Sequence, residues 1–305
     1  DGTSVDGIRL GFTKKDLTDS IDALLDSSKL IKEKGYRLFL QGVNSLNYSD
    51  MELLELIQIV NKIEPYSFGI VDTYGAMYVD DVQRLFTLID HNLNMDIAVD
   101  FHSHNNMQLS FCLAQEIIML SNGVRSVIID GTLRGMGKGA GNANTELIIN
   151  YLNRKKGYKY DLEGILEIID LELFDLFEEY HWGYSPASFM AGVYKSHPNN
   201  ITYLLEKYKY DTNDIRHILS QLSDSERERY NYEKIDLLCE DYKYKDYNDI
   251  SAINQLIDII GNKEVLVLAP GKSISLHSQR IFSYVSQNAP LIYSVNFIID
   301  SMVIP

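Results

Sequence analysis

The sequence predicts an α/β fold of repeated βα units around a parallel sheet, followed by helices and the opening of a further α/β segment. Two observations predict it. Through about residue 157, short β-branched runs alternate with longer amphipathic ones, the pattern of βα units. Beyond about residue 158 the chain turns to Leu- and Tyr-rich helical patterns, with no clear strand until residue 264. The expected organisation is therefore 1–157 for the βα units, 158–250 for a helical domain and 262–305 for a β-α-β segment.

The strand candidates are GIRLGF (7–12), YRLFLQGV (36–43), SFGIVDT (67–73), DIAVDFHSH (96–104) and VRSVIIDGTL (124–133). Each is short, apolar and bounded by polar residues or glycine. Between the first two, DLTDSIDALLDSSKLIKEKG spaces Leu17, Ile21, Leu24, Leu25 and Leu30 as one helix face and stops at Gly35. Segments 50–63, 79–91 and 107–121 carry the same periodicity. Such units build either an open doubly wound sheet or a closed eight-stranded barrel, and five of them are too few for the barrel. The charged, Tyr-rich stretch CEDYKYKDYND (239–249) precedes EVLVLAPGKS, which opens the last segment. Its turn, Ala269 to Ser273, is either an anion-holding helix start or a plain strand-to-helix turn.

With 305 residues and 45% hydrophobic content the chain has enough apolar material for a large core. A net charge of -15 repels phosphate backbones and anionic lipid surfaces, which argues against nucleic acid and membrane as partners. Cys112 and Cys239 lack CxxC spacing and read as reduced, structural thiols. No apolar run approaches the roughly 18 residues of a membrane helix, and no basic-then-apolar leader opens the chain, so a cytoplasmic protein is expected. The 21 tyrosines read as half-buried helix faces rather than a carbohydrate platform.

Three motifs carry the chemistry. In DFHSHNN (100–106), period-two geometry puts Asp100, His102 and His104 on one face of a strand. Two imidazoles at that spacing hold one divalent ion when a carboxylate joins them; alone, they read equally well as packed or hydrogen-bonded histidines. In DGTLRGMGKGAGNANTE (130–146), Gly135, Gly137, Gly139 and Gly141 let backbone approach a ligand closely. The plain alternative is a tight βα connection capped by Asn142. Its spacing matches neither the phosphate loop nor the dinucleotide fingerprint. In VDTYGAM (71–77), Asp72 ends a strand where barrel enzymes place active residues, although an aspartate there also serves as a turn former.

Taken in this order, VDTYGAM, DFHSHNN and GMGKGAGNANTE resemble the metal-dependent family of 4-hydroxy-2-oxovalerate aldolase, hydroxymethylglutaryl-CoA lyase, isopropylmalate synthase and homocitrate synthase. The aldolase branch is the most similar, and the resemblance spans roughly residues 6–200. It implies a (β/α)8 TIM barrel of which this chain carries the fourth to eighth strands. It implies that His102 and His104 are metal ligands, with Asn142 a ligand in some branches only. It sets Asp72, as a catalytic residue, and Thr73, as a substrate-binding one, in the barrel mouth, makes Gly137, Gly139 and Gly141 substrate-binding, and matches Tyr184 to a substrate-facing catalytic tyrosine, with Tyr194 as the alternative. The implied cofactor is a divalent ion, manganese first, with magnesium or zinc as alternatives.

The activity implied is cleavage or formation of a carbon–carbon bond beside a 2-oxo acid, the ion polarising the ketone and stabilising the enolate. The competing readings are a Claisen-type acyl-CoA synthase on the same scaffold and a non-catalytic scaffold or binding module. The family's N-terminal TLRDG motif, source of an aspartate ligand and a catalytic arginine, has no counterpart here, since DGTLRG (130–135) belongs to the last strand. The chain is therefore expected to be part of a longer protein. A sheet edge left open by three absent strands needs cover, so a homo-oligomer or preceding residues are expected there. The aldolase branch also implies an aldehyde-consuming dehydrogenase as a partner.

Overall fold

In the computed structural model, which describes residues 5–243 and 250–295, the βα units take up the first half of the chain. They run β1 (Gly7–Phe12), α1 (Lys14–Asp19), α2 (Ile21–Glu33), β2 (Arg37–Gly42), α3 (Asp50–Ile63), β3 (Ser67–Asp72), α4 (Val79–Asn92), β4 (Ala98–Ser103), α5 (Ser110–Leu120), β5 (Val127–Ile129) and α6 (Thr145–Lys156). The five strands pair in parallel in the order β1-β2-β3-β4-β5, the curved part of a (β/α)8 barrel. Among the described residues β1 and β5 each have one strand neighbour.

Local chemistry sets the helix ends. Thr13 with Asp16 and Ser49 with Glu52 form reciprocal capping boxes at the starts of α1 and α3, and Gly157, at φ +77°, ends α6. The helix expected between the first two strands is broken at Ser20 (φ -147°, ψ 28°), whose amide closes α1 on Asp16 while its carbonyl starts α2.

The two sheet faces differ in chemistry. Leu38, Leu40, Phe68, Ile70, Val99 and Phe101 point to the helices and are buried against Leu53, Ile57, Leu85 and Ile117. Each such side chain contributes roughly 1.5–3 kcal/mol by leaving water. On the other face the register aligns Gly11, Gln41, Gly69, Asp100 and Ile128 in one row. Arg9, His102 and Asp130 lie two residues from members of that row and so share its face. Buried Asp100 accepts bonds from Gln41 Nε2 at 2.7 Å and Ser67 Oγ at 2.5 Å. Gly69 makes room for this pair, because a Cβ there would collide with the Asp100 carboxylate.

The helices that follow are α7 (Leu162–Glu172), α8 (Phe174–Tyr180), α9 (Pro186–Val193), α10 (Pro198–Tyr203), α11 (Thr212–Ser220), α12 (Asp224–Arg227) and α13 (Tyr232–Lys243). They have a core of their own around Ile201, Leu204, Ile215, Ile218 and Leu219. They also cover the C-terminal ends of the strands. Asn106 Nδ2 donates to Ser188 O at 2.8 Å, Gly183 N to Gly139 O at 2.9 Å, Trp182 Nε1 to Arg134 O at 2.9 Å and Tyr74 OH to Glu228 O at 3.3 Å.

The chain divides into two compact units, Asp1–Tyr242 and Lys243–Pro305. Within the second, α14 (Ile250–Ile260) precedes β6 (Val265–Leu268), α15 (Lys272–Leu276), α16 (Ser278–Asn288) and β7 (Leu291–Ser294), and β6 pairs with β7 in parallel. Residues 244–249 of the charged stretch and 296–305 of the expected C-terminal segment lie outside the described residues. No helix among those described is long and apolar enough to cross a membrane. Both cysteines are free, Cys239 buried and Cys112 exposed.

Candidate metal and active site

Strand β4 carries His102, and His104 follows its last residue. Because side chains alternate along it, Asp100 and His102 share the inner face while Phe101 and Ser103 turn outward into the core. The rings of His102 and His104 lie 5.3 Å apart, edge to face at 78°. Nδ1 of His102 stands 3.0 Å from Asp130 Oδ2. Asp130 is held in turn by a two-pronged pair with Arg9, at 2.7 and 2.8 Å. These hydrogen bonds and the Arg9 charge keep the Asp130 carboxyl below its ordinary range despite burial. Burial, assisted by neighbouring His102, lowers His104 to about 4, so at neutral pH it is an uncharged imidazole, the form that ligates metals.

The glycine-rich loop brings Asn142 next to His104. His104 and Asn142 form an isolated antiparallel bridge, and Asn105 N donates to Gly141 O at 2.9 Å. Side chains so paired stand about 4.5–5.5 Å apart at Cβ. Asn142 Nδ2 donates to Met136 O at 2.9 Å, whereas its Oδ1 is buried with no partner. A buried carboxamide oxygen left unbonded is costly, and its place beside His104 fits a cation. Two imidazole nitrogens and one oxygen suit manganese, zinc or magnesium, with positions left for other ligands. No group of three or more His, Cys, Asp or Glu with metal-binding geometry occurs among the described residues. The residues that could hold an ion are therefore two imidazoles and an amide.

Glycines make the loop possible. Gly139 and Gly141 have φ of +63° and +78°, and a Cβ on Gly141 would strike the Gly135 carbonyl oxygen. On Gly137 it would meet Asn142 Nδ2 at 2.5 Å. Gly75, at φ +57°, lets the loop after β3 touch the backbone of His104 and Asn106.

The remaining residues singled out in the sequence fall in different places. Asp72 pairs in register with Ser103, on the face opposite His102. Its buried carboxylate accepts from Ala76 N at 2.8 Å and Met77 N at 3.1 Å, and burial raises it to about 6. It holds the turn after β3 and faces away from the row that carries His102. Thr73 Oγ1 accepts from Asn44 N at 2.8 Å and lines a cavity of about 200 Å³ that His104 also lines. Tyr184 is exposed and lines a separate cavity of about 320 Å³ beside Gly139, while Tyr194 packs against the helical core. A larger cavity, about 740 Å³, follows β5 and α6 and is lined mainly by apolar side chains such as Val127, Ile129 and Ile148. Neither His102 nor His104 lines it, and it lies along β5, which has one strand neighbour among the described residues. The Asp130–Arg9 support was not singled out from the sequence, because Arg9 is on β1 and Asp130 follows β5, at opposite ends of the strand order, and only the tertiary fold brings residues 121 positions apart together.

Comparison with known proteins agrees with this frame. The HMGL-like family model matches residues 8–171. A 4-hydroxy-2-oxovalerate aldolase of Pectobacterium atrosepticum is 32% identical over 169 residues, 52% of this chain and 47% of that protein. One from Thermomicrobium roseum is 44% identical over 85 residues, 28% of this chain and 22% of its own. The chain thus spans about half the length or less of these curated relatives. Among solved structures, the N-terminal domain of a candidate aldolase from Bacteroides vulgatus superimposes with a TM-score of 0.60 at 26% identity, covering 70% of this chain and 67% of that one. The carboxyl transferase domain of Rhizobium etli pyruvate carboxylase shares the fold, with a TM-score of 0.53 at 13% identity over 71% of this chain and 37% of the other.

Proposed function

Since the chain belongs to the HMGL-like family, we propose that it is the later part of a divalent-metal-dependent aldolase, cleaving or forming a carbon–carbon bond beside a 2-oxo acid. The observation that supports the reading is a pair of imidazoles 5.3 Å apart, the second of them bridged through its backbone to Asn142, whose Oδ1 is buried without a partner.

A divalent ion, when bound, supplies Lewis acidity that makes an adjoining 2-oxo group electron-poor. The protein's own groups prepare for it. The Asp130 carboxylate accepts a hydrogen bond from Nδ1–H of His102, which leaves Nε2 as the basic atom with its lone pair free for an ion. His104 contributes a ring whose nitrogens have no hydrogen-bond partner among the described residues. Thr73 keeps its hydroxyl proton for a substrate oxygen, since Oγ1 already accepts from Asn44. The helices packed over the strand ends, through Asn106, Tyr74 and Gly139, shield the mouth from water. Asp72 acts by fixing the turn that carries Thr73 and Gly75.

On this reading the ion is manganese, with magnesium or zinc as substitutes, and the substrate shares the 2-oxo acid end of the 4-hydroxy-2-oxovalerate named for the relatives. The accompanying partners are further copies of the chain across the open edge and a dehydrogenase that consumes the aldehyde product. The test is pyruvate release from 4-hydroxy-2-oxovalerate by the protein with manganese. Release that disappears in His102→Ala, with the fold retained, is expected. Turnover that requires an acyl-CoA, or none with manganese bound, contradicts it.

A further inference from the structure

The roughly 200 Å³ cavity beside His104 has a distinct electrostatic character. It reaches from Thr73 and His104, at the strand ends, to Lys138 in the glycine-rich loop and to Ser196 and His197 at the start of α10. No carboxylate lines it, in a chain with a net charge of -15. Lys138 forms no ion pair among the described residues. His197 Nδ1 accepts from Asn199 N at 3.2 Å, so its proton sits on Nε2 and that atom donates. Burial and the nearby Lys138 charge lower His197, keeping it in this neutral, donating form. Lys138, His197 and the Thr73 hydroxyl are all donors, and such a set recognises an anion.

We propose that Lys138 is a specificity residue that receives a second carboxylate, so that the substrate is a 2-oxo acid with an acid group at its far end. The inference rests on the proposed metal site, where the 2-oxo acid end of the substrate is held beside His104. The far end of the substrate then extends through the same cavity to Lys138. Lys138 is exposed and lies in a loop, so replacing it leaves the folded core untouched.

The test is calorimetric binding of 2-oxoglutarate and of 2-oxopentanoate, equal in chain length, to the manganese-loaded protein. Wild type is expected to prefer the dicarboxylate by about tenfold or more, the worth of one charged hydrogen bond. Lys138→Met removes that preference and leaves 2-oxopentanoate binding unchanged, and Lys138→Arg keeps it. His102→Ala removes manganese-dependent binding of both acids, which reports on the metal site separately. Equal binding of the two acids by wild type, or a preference that survives Lys138→Met, overturns the assignment of Lys138 while leaving the metal site standing. Binding of neither acid overturns both.

Discussion

The Oδ2 atom of Asp130 lies 3.0 Å from Nδ1 of His102, and the same carboxylate is gripped by Arg9. A carboxylate in this position fixes one tautomer and orients the ring, so that Nε2 is the atom offered to a ligand.

Asp130→Asn should therefore weaken divalent-ion binding by about 10- to 100-fold while the protein stays folded. Isothermal titration with manganese checks it. Unchanged affinity would mean that His102 is oriented by packing alone.

Metal-free protein should lose stability as pH falls from 6.5 towards about 4, because the unfolded His104 takes up a proton that the folded one, lowered to about 4, refuses. A depressed folded value gives stability that is present above the unfolded pKa and lost as pH falls through the folded one. Urea midpoints in chelator at pH 7 and 4.5, for wild type and His104→Gln, isolate this contribution. The wild type should fall further than the variant between the two pH values.

Much of this was legible in the sequence, for physical reasons that differ by element. Strand β1 was expected over 7–12 and β3 over 67–73, and they form over Gly7–Phe12 and Ser67–Asp72, since apolar runs bounded by polar residues mark buried parallel strands. The two histidines were legible as neighbours because their spacing is local, His102 within β4 and His104 just past its end. Asp130 needed the β4–β5 register to be seen. Asp72 shows the converse: its place at a strand end was visible, whereas the face it occupies depends on the pairing of Val71 with His102. Asn142 was legible from the loop motif, but its bridge to His104 and its unpartnered oxygen belong to tertiary structure.

Gly141→Ala should cost several times more than Gly157→Ala. Both glycines have positive φ, but a Cβ on Gly141 strikes the Gly135 carbonyl, whereas nothing lies within 4 Å of one on Gly157. The left-handed conformation alone costs about 1–2 kcal/mol, and urea denaturation of the two variants separates it from the clash. Equal losses would show that the loop yields.

Arg125→Met should destabilise the protein by on the order of 3 kcal/mol. Buried Arg125 donates to Asp90 Oδ1 at 2.7 Å and to the carbonyls of Asp90, Leu93, Asn94 and Ile97 at the end of α4. Methionine leaves those acceptors without a donor. Thermal unfolding followed by circular dichroism reads the loss, and a change below about 1 kcal/mol would show that water replaces the guanidinium.

Metal content after dialysis against manganese, compared between wild type and the His102→Ala/His104→Ala double variant, tests the central claim most directly. One ion per wild-type chain and none in the folded double variant is the predicted result. A folded wild type that retains no ion, or a double variant that retains a full equivalent, would contradict it.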